Sequence, residues 1–118
     1  MNYNIEIQKI NKILATDYNH EIPDKIRSNK FNKAFTRLMK KIFPEYTIIP
    51  SNVYCAAHGF IVAPNGKCVY YATNDYRWEK WNNDILYRKA KNEHDSCGGS
   101  NNFADLNYLE DCIENLIK

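Results

Sequence analysis

The chain has 118 residues, 16 Lys and Arg against 14 Asp and Glu for a formal charge of +2, and 44% apolar residues. That is the size and apolar content of one folded domain, residues 1–118, and it excludes a disordered chain. So small a net charge does not imply capture of nucleic acid through the overall field. No apolar run is long enough to cross a bilayer, and the start, Met1-Asn2-Tyr3-Asn4-Ile5-Glu6, has neither the basic flank nor the apolar run of a secretion signal. The expectation is a soluble protein of the bacterial cytoplasm with no membrane partner.

Ile5, Ile7, Ile10, Ile13 and Leu14 recur at helical spacing and predict a first helix over residues 3 to 16. Residues 17 to 27 have no clean period and contain Pro23, which predicts a loop. Ser28 then caps a second helix, in which Phe31, Phe35, Leu38, Met39, Ile42 and Phe43 form the apolar stripe and which Pro44 ends. Its opposite face stacks Lys30, Lys33, Arg37 and Lys40 or Lys41. This stripe is either a solvated outer face or a contact for phosphates or an acidic protein.

Residues 46 to 53 are rich in β-branched side chains and predict a strand ending near Pro50. Asn65-Gly66 stands between two apolar runs of residues 57 to 73 and predicts a hairpin with a two-residue turn. That turn pairs Val62 with Val69, Phe60 with Tyr71 and His58 with Thr73 on one face, and Ile61 with Tyr70 on the other. Both faces are apolar or aromatic, so the hairpin should lie centrally and be covered, at least in part, on each side. Residues 85 to 90 predict a further strand, with helix as the competitor. Asp105 caps a last helix with Phe103 or Ala104 stapled onto Leu109, and Leu106, Leu109, Cys112, Ile113 and Leu116 face inward. The expected class is α+β, a small antiparallel sheet of three to four strands with two helices before it and one after.

The 16 Asn, 13 Ile and 12 Lys have AT-rich codons and carry the imprint of a low-GC genome, against which the four Arg are informative. Both Trp and two of the Arg lie between Arg77 and Arg88. Asp75, Tyr76, Arg77, Trp78, Trp81, Tyr87 and Arg88 combine planar forks with flat faces, which suits a nucleotide, a single strand or a protein hot spot. The bland alternative is that the tryptophans close the end of the sheet. Gly98 and Gly99, with Asn101 close by, offer backbone amides to an anion just before the last helix, or form a plain loop.

Catalytic constellations are thin. Cys55, Cys68, Cys97 and Cys112 have no close pair of the kind a structural zinc site uses, and without an export signal they are expected to stay reduced and mostly buried. Cys55 with His58, and Cys97 with His94 and Asp95, hold the atoms of a thiol and a base; Cys55 and His58, three apart on a strand, face opposite sides, and His94 to Cys97 form a loop whose sequence shows no orienting geometry. Asp75, Glu79 and Asp84 are interleaved with Arg77 and Lys80, which oppose a cation. No cofactor and no metal are implied.

Gly59-Phe-Ile, Asn65-Gly-Lys-Cys-Val-Tyr, Asp75-x-Arg77, Trp81, Leu86-Tyr-Arg-x-Ala90 and Asp95-x-x-Gly-Gly-x-Asn101 together resemble a pattern of short accessory proteins of phages and mobile elements in low-GC Firmicutes. Small size, one domain and no catalytic signature are similarly the profile of anti-CRISPR and other anti-defence proteins. The resemblance implies a non-catalytic binding protein that inhibits a host defence protein, alone or within a nucleoprotein complex, by occupying its nucleic-acid or nucleotide site. The residues themselves also admit a direct binder of single-stranded nucleic acid or a small cyclic nucleotide, and, third, a Cys/His-dependent enzyme.

Overall fold

Helical periodicity at both ends and strand alternation between them give a computed structural model that describes residues 3–15, 24–52, 56–76, 80–95 and 99–118. The elements run α1 (Asn4–Ala15), α2 (Asp24–Ile42), β1 (Thr47–Asn52), β2 (Ala57–Val62), β3 (Cys68–Ala72), β4 (Asp84–Ala90), β5 (Asn102–Asp105) and α3 (Leu109–Leu116). The strands form one antiparallel meander in the order β1-β2-β3-β4-β5. This is the expected α+β class with one strand more than expected, and residues 84–90 are strand. Among the described residues no helix is long and apolar enough to cross a membrane.

Ile7, Ile10 and Leu14 of α1 and Phe31, Phe35, Leu38 and Met39 of α2 turn inward and meet Leu109 and Ile113 of α3 in a single main core. Phe35 packs on Phe31 with ring centroids 5.1 Å apart and on Tyr71 of β3 at 4.5 Å. The sequence expectation starts α2 too late. Ser28 is no cap but a fully buried residue inside the helix, which begins at Asp24. The physical reason is that Arg27, Ser28 and Asn32, all buried, continue the inward stripe of Phe31 and Phe35 with polar groups, so an apolar period does not reveal those turns.

The hairpin turn is also one residue longer than expected. Ala63 N–H donates to Lys67 O and Gly66 N–H to Ala63 O, both at 2.9 Å, and Gly66 has φ +85° while Asn65 does not enter the left-handed region. This is a three-residue loop, Pro64-Asn65-Gly66, closed by a left-handed glycine; a two-residue turn would need positive φ at Asn65 as well. The register therefore pairs Phe60 with Tyr70 and Ile61 with Val69. A slip of one residue exchanges faces, so Phe60 and Tyr71 lie on opposite sides of the sheet.

At the C-terminal end the expected cap and staple are in fact β5. Asp105, Ala104 and Phe103 pair with Asp84, Ile85 and Leu86. Asp105 Oδ1 accepts from Asn107 N–H at 2.9 Å in the turn that follows, α3 starts only at Leu109, and its N-cap Tyr108 makes no side-chain capping bond. Phe103 is 62% exposed, so it staples nothing.

Alternation along the strands sorts the sheet into two faces. Ile48, Ile61, Val69, Tyr71, Tyr87, Ile85 and Ala104 point into the main core with the helices. On the other face Phe60, Cys68 and Ala90 are buried only among strand neighbours, Ile49, Val62 and Tyr70. The hairpin is central as expected, but the helices cover one side of it; on the second side, among the described residues, its own side chains and those of neighbouring strands pack on one another.

Candidate recognition surfaces

Among the described residues, the polar and aromatic side chains that stand together in sequence are divided between the core and the two faces of the sheet. Arg77, Trp78 and Gly98 lie outside the described residues. Tyr76 is 2% exposed and belongs to the main core, with the Arg27 guanidinium carbon 5.2 Å from its ring centroid. Burial pushes its phenol pKa up, opposed by the nearby Thr73 and Ser28 hydroxyls and the Arg27 charge. Asp75 beside it is half-buried. Trp81 is half-buried against the same core and its Nε1–H donates to Asn11 Oδ1 of α1 at 3.0 Å. Tyr87 faces α3, where hydrogen bonding with the Cys112 thiol, and then burial, push its phenol pKa up to about 12. Tyr76, Trp81 and Tyr87 thus pack in or against the main core.

Arg88, the next residue, points the other way. Its guanidinium carbon lies 4.5 Å from the Tyr70 ring centroid, and its Nη1 donates to Asn101 Oδ1 at 2.7 Å. Tyr70 is also edge-on to Phe60 at 5.4 Å and tilted against His58 at 5.7 Å. Around this group the face carries half-buried Ile49, Val62 and Leu86 and exposed Phe103, with Thr47, Ser51, Asp84 and Asp105 toward its ends. Desolvation lowers the His58 pKa, so the imidazole is held neutral against the aromatic cluster. Sequence reasoning found Arg88 and Asn101 and missed Tyr70, Phe60 and His58, which only the correct hairpin register places beside them.

Gly99 does not cradle an anion at a helix start, because β5 stands between it and α3. At φ +84° a Cβ there would come within 2.9 Å of Lys89 O, so the glycine is explained by close approach of its loop to β4.

The cationic stripe is where it was expected. Lys30, Lys33, Arg37 and Lys40 are exposed along the outer side of α2. Lys41 is not available with them: its Nζ donates to Glu6 Oε1 of α1 at 3.0 Å and holds that carboxyl below the usual range. From Lys25 to Lys41 the helix carries seven Lys or Arg and no Asp or Glu. Between it and the edge strand β1 runs an open groove of about 500 Å³ lined by Asn29, Asn32, Lys33, Thr36, Arg37 and Pro50. Asn32 is committed to the fold: its Oδ1 accepts from the Tyr71 hydroxyl at 3.0 Å and its Nδ2 donates to Ser51 O at 3.1 Å.

Of the catalytic constellations, Cys55 and Cys97 lie outside the described residues. His94 is exposed, its Nε2 3.8 Å from Glu93 Oε1, and Asp95 Oδ2 accepts from Lys91 N–H at 3.0 Å. The Cys68 thiol is buried, points at Gly66 O at 3.6 Å, and has its pKa pushed up by desolvation. Among the described residues no group of three or more His, Cys, Asp or Glu converges as a metal site. Comparison with protein-family models, with curated proteins and with solved structures returned no match to this chain.

Proposed function

We propose that the protein is a non-catalytic binding module that captures a protein partner on the outer face of its sheet, around Tyr70 and Arg88. One observation carries this: on a face where no described helix packs, an arginine stacked on a tyrosine at 4.5 Å sits beside half-exposed aliphatic groups and an exposed Phe103. Tyr, Phe and Arg within an apolar patch with polar ends are the make-up of an interface hot spot. A nucleic-acid strand suits the face less. It would need cations tracking its backbone, whereas Arg88 is set against Asp84 and Asp105 at the β4–β5 end. The resemblance to phage and mobile-element accessory proteins supports a partner class, a host defence protein of the CRISPR type whose nucleic-acid or nucleotide site is occluded by the bound module.

The test is affinity capture from the host with nuclease treatment in parallel, then titration of the captured protein with Tyr70→Ala, Arg88→Ala and Phe103→Ala variants checked for folding by circular dichroism. Truncating Tyr70 or Arg88 should weaken the complex by about 30-fold or more, as hot-spot residues do. Unchanged affinity in the triple variant would remove the proposal. So would sedimentation showing that a second copy of the chain, and no other protein, occupies the face.

A further inference from the structure

We infer that the groove between α2 and the β1 edge is a binding site for a phosphate-bearing ligand, with Lys33 and Arg37 supplying the charge. The site lies on the helix side of the sheet, so it is independent of the sheet-face proposal.

Three observations converge on it. First, at about 500 Å³ the groove has nucleotide dimensions, and no carboxylate lines it among the described residues. Second, the charge beside it is uncompensated. Lys33 and Arg37 stand four residues apart on one helix face, flanked by Lys30 and Lys40, and no ion pair engages any of these four among the described residues; the neighbouring Lys41 is neutralised by Glu6. A solvated helix face ordinarily mixes both signs at this spacing, because like charges four apart repel. Third, Thr36 lines the same groove, and its hydroxyl is buried with no hydrogen-bond partner among the described residues. A buried hydroxyl left unpaired is a cost that a ligand oxygen would relieve.

The chemistry of the lining selects the ligand. Arg37 offers a planar fork and Lys33 a point charge, the pair that phosphate oxygens take up together. Asn29 adds an amide at the helix-side rim, whereas Asn32 is held by Tyr71 and Ser51 and serves as a fixed wall. Pro50 gives an apolar surface opposite, on which a sugar or base can rest. The ligand class is thus a phosphate ester, either a free nucleotide or the backbone of a single strand, and in the second case Lys30 and Lys40 extend the contact along α2.

Two probes separate these sources: an adenine mononucleotide followed by amide chemical shifts, and a fluorescein-labelled single-stranded oligonucleotide followed by anisotropy. If four cations meet the strand, affinity should fall about 50-fold between about 50 and about 200 mM salt, and only about 7-fold in Lys33→Gln/Arg37→Gln, since each phosphate contact contributes roughly 0.7 to the logarithmic slope. Lys89→Gln, exposed on β4, should bind as the unaltered protein does. Saturable shifts confined to the groove with the mononucleotide, lost in the double variant, would identify the free nucleotide as the source. Binding of neither probe, or binding that the double variant leaves unchanged, would overturn the inference. Neither result depends on Tyr70 or Arg88, so failure here is distinct from failure at the sheet face.

Discussion

Replacing Gly59 with alanine should destabilise the fold strongly although it adds one methyl group. Gly59 lies in β2 between Pro50 of β1 and Tyr71 of β3. A Cβ there would come 2.5 Å from Ile49 O, 2.6 Å from the Tyr71 hydroxyl and 2.9 Å from Pro50 Cα. Two of these are backbone atoms of the edge strand, which cannot move without loosening its pairing. The third is pinned, because Tyr71 is fully buried and donates to Asn32 Oδ1 at 3.0 Å. Overpacking of this kind costs about 1–3 kcal/mol. Displacing the tyrosine hydroxyl from its bond adds roughly 1 kcal/mol. The total, about 2–4 kcal/mol, is a large part of the 5–15 kcal/mol of an ordinary domain and should lower Tm by roughly 10 °C. Urea melts followed by circular dichroism on Gly59→Ala, Tyr71→Phe and the double variant test the cause as well as the size. Removing the hydroxyl should relieve part of the clash, giving a coupling of about 1 kcal/mol. A Gly59→Ala protein within about 0.5 kcal/mol of the parent would refute this account.

Other expectations follow from single contacts. Gly66→Ala meets open space but retains φ +85°, so it should cost about 1 kcal/mol from backbone strain alone, with Gly66→Asn tolerated better, as paired melts would show. Trp81→Phe removes the bond to Asn11 and should lower stability by about 1 kcal/mol while leaving partner affinity unchanged; a selective loss of affinity would return Trp81 to the recognition surface. His58 has its folded pKa depressed by burial, so the unfolded chain takes up the proton first. Its stabilising contribution is complete above about pH 6.5 and is lost as pH falls through the folded pKa, and His58→Gln should flatten the decline of stability below about pH 6.5. Equal slopes in the two proteins would rule out that role.

Helix periodicity and the Asn-Gly signal revealed that three helices and a central hairpin exist, though not where α2 and α3 start or the hairpin's register, because apolar stripes such as Ile7, Ile10 and Leu14 are physical requirements of burial. What could not be read is instructive. The first turns of α2 bury Arg27, Ser28 and Asn32, and the groups that Arg27 and Asn32 meet, Tyr76 and Tyr71, lie far along the chain. β5 has four residues, too few for alternation to register, and its pairing with β4 spans a loop. The hairpin register depended on whether Asn65 or only Gly66 takes positive φ, and that single dihedral decides which aromatic joins which face. Proximity in sequence was the weaker guide to the site: Tyr87 and Arg88 are neighbours in the chain and lie on opposite sides of the sheet.

The two free borders of the meander also constrain how anything can attach to it. An exposed strand edge is a template on which a foreign strand, or a copy of the same chain, can continue the ladder. Here one border carries Pro50, which has no amide hydrogen to offer, and the other is only four residues long. Both are poor templates, which disfavours growth of the sheet into fibres at each end. A protein partner of the kind proposed would therefore engage side chains on a face, and its specificity would reside in pockets and charges instead of in main-chain pairing, which any extended peptide could satisfy.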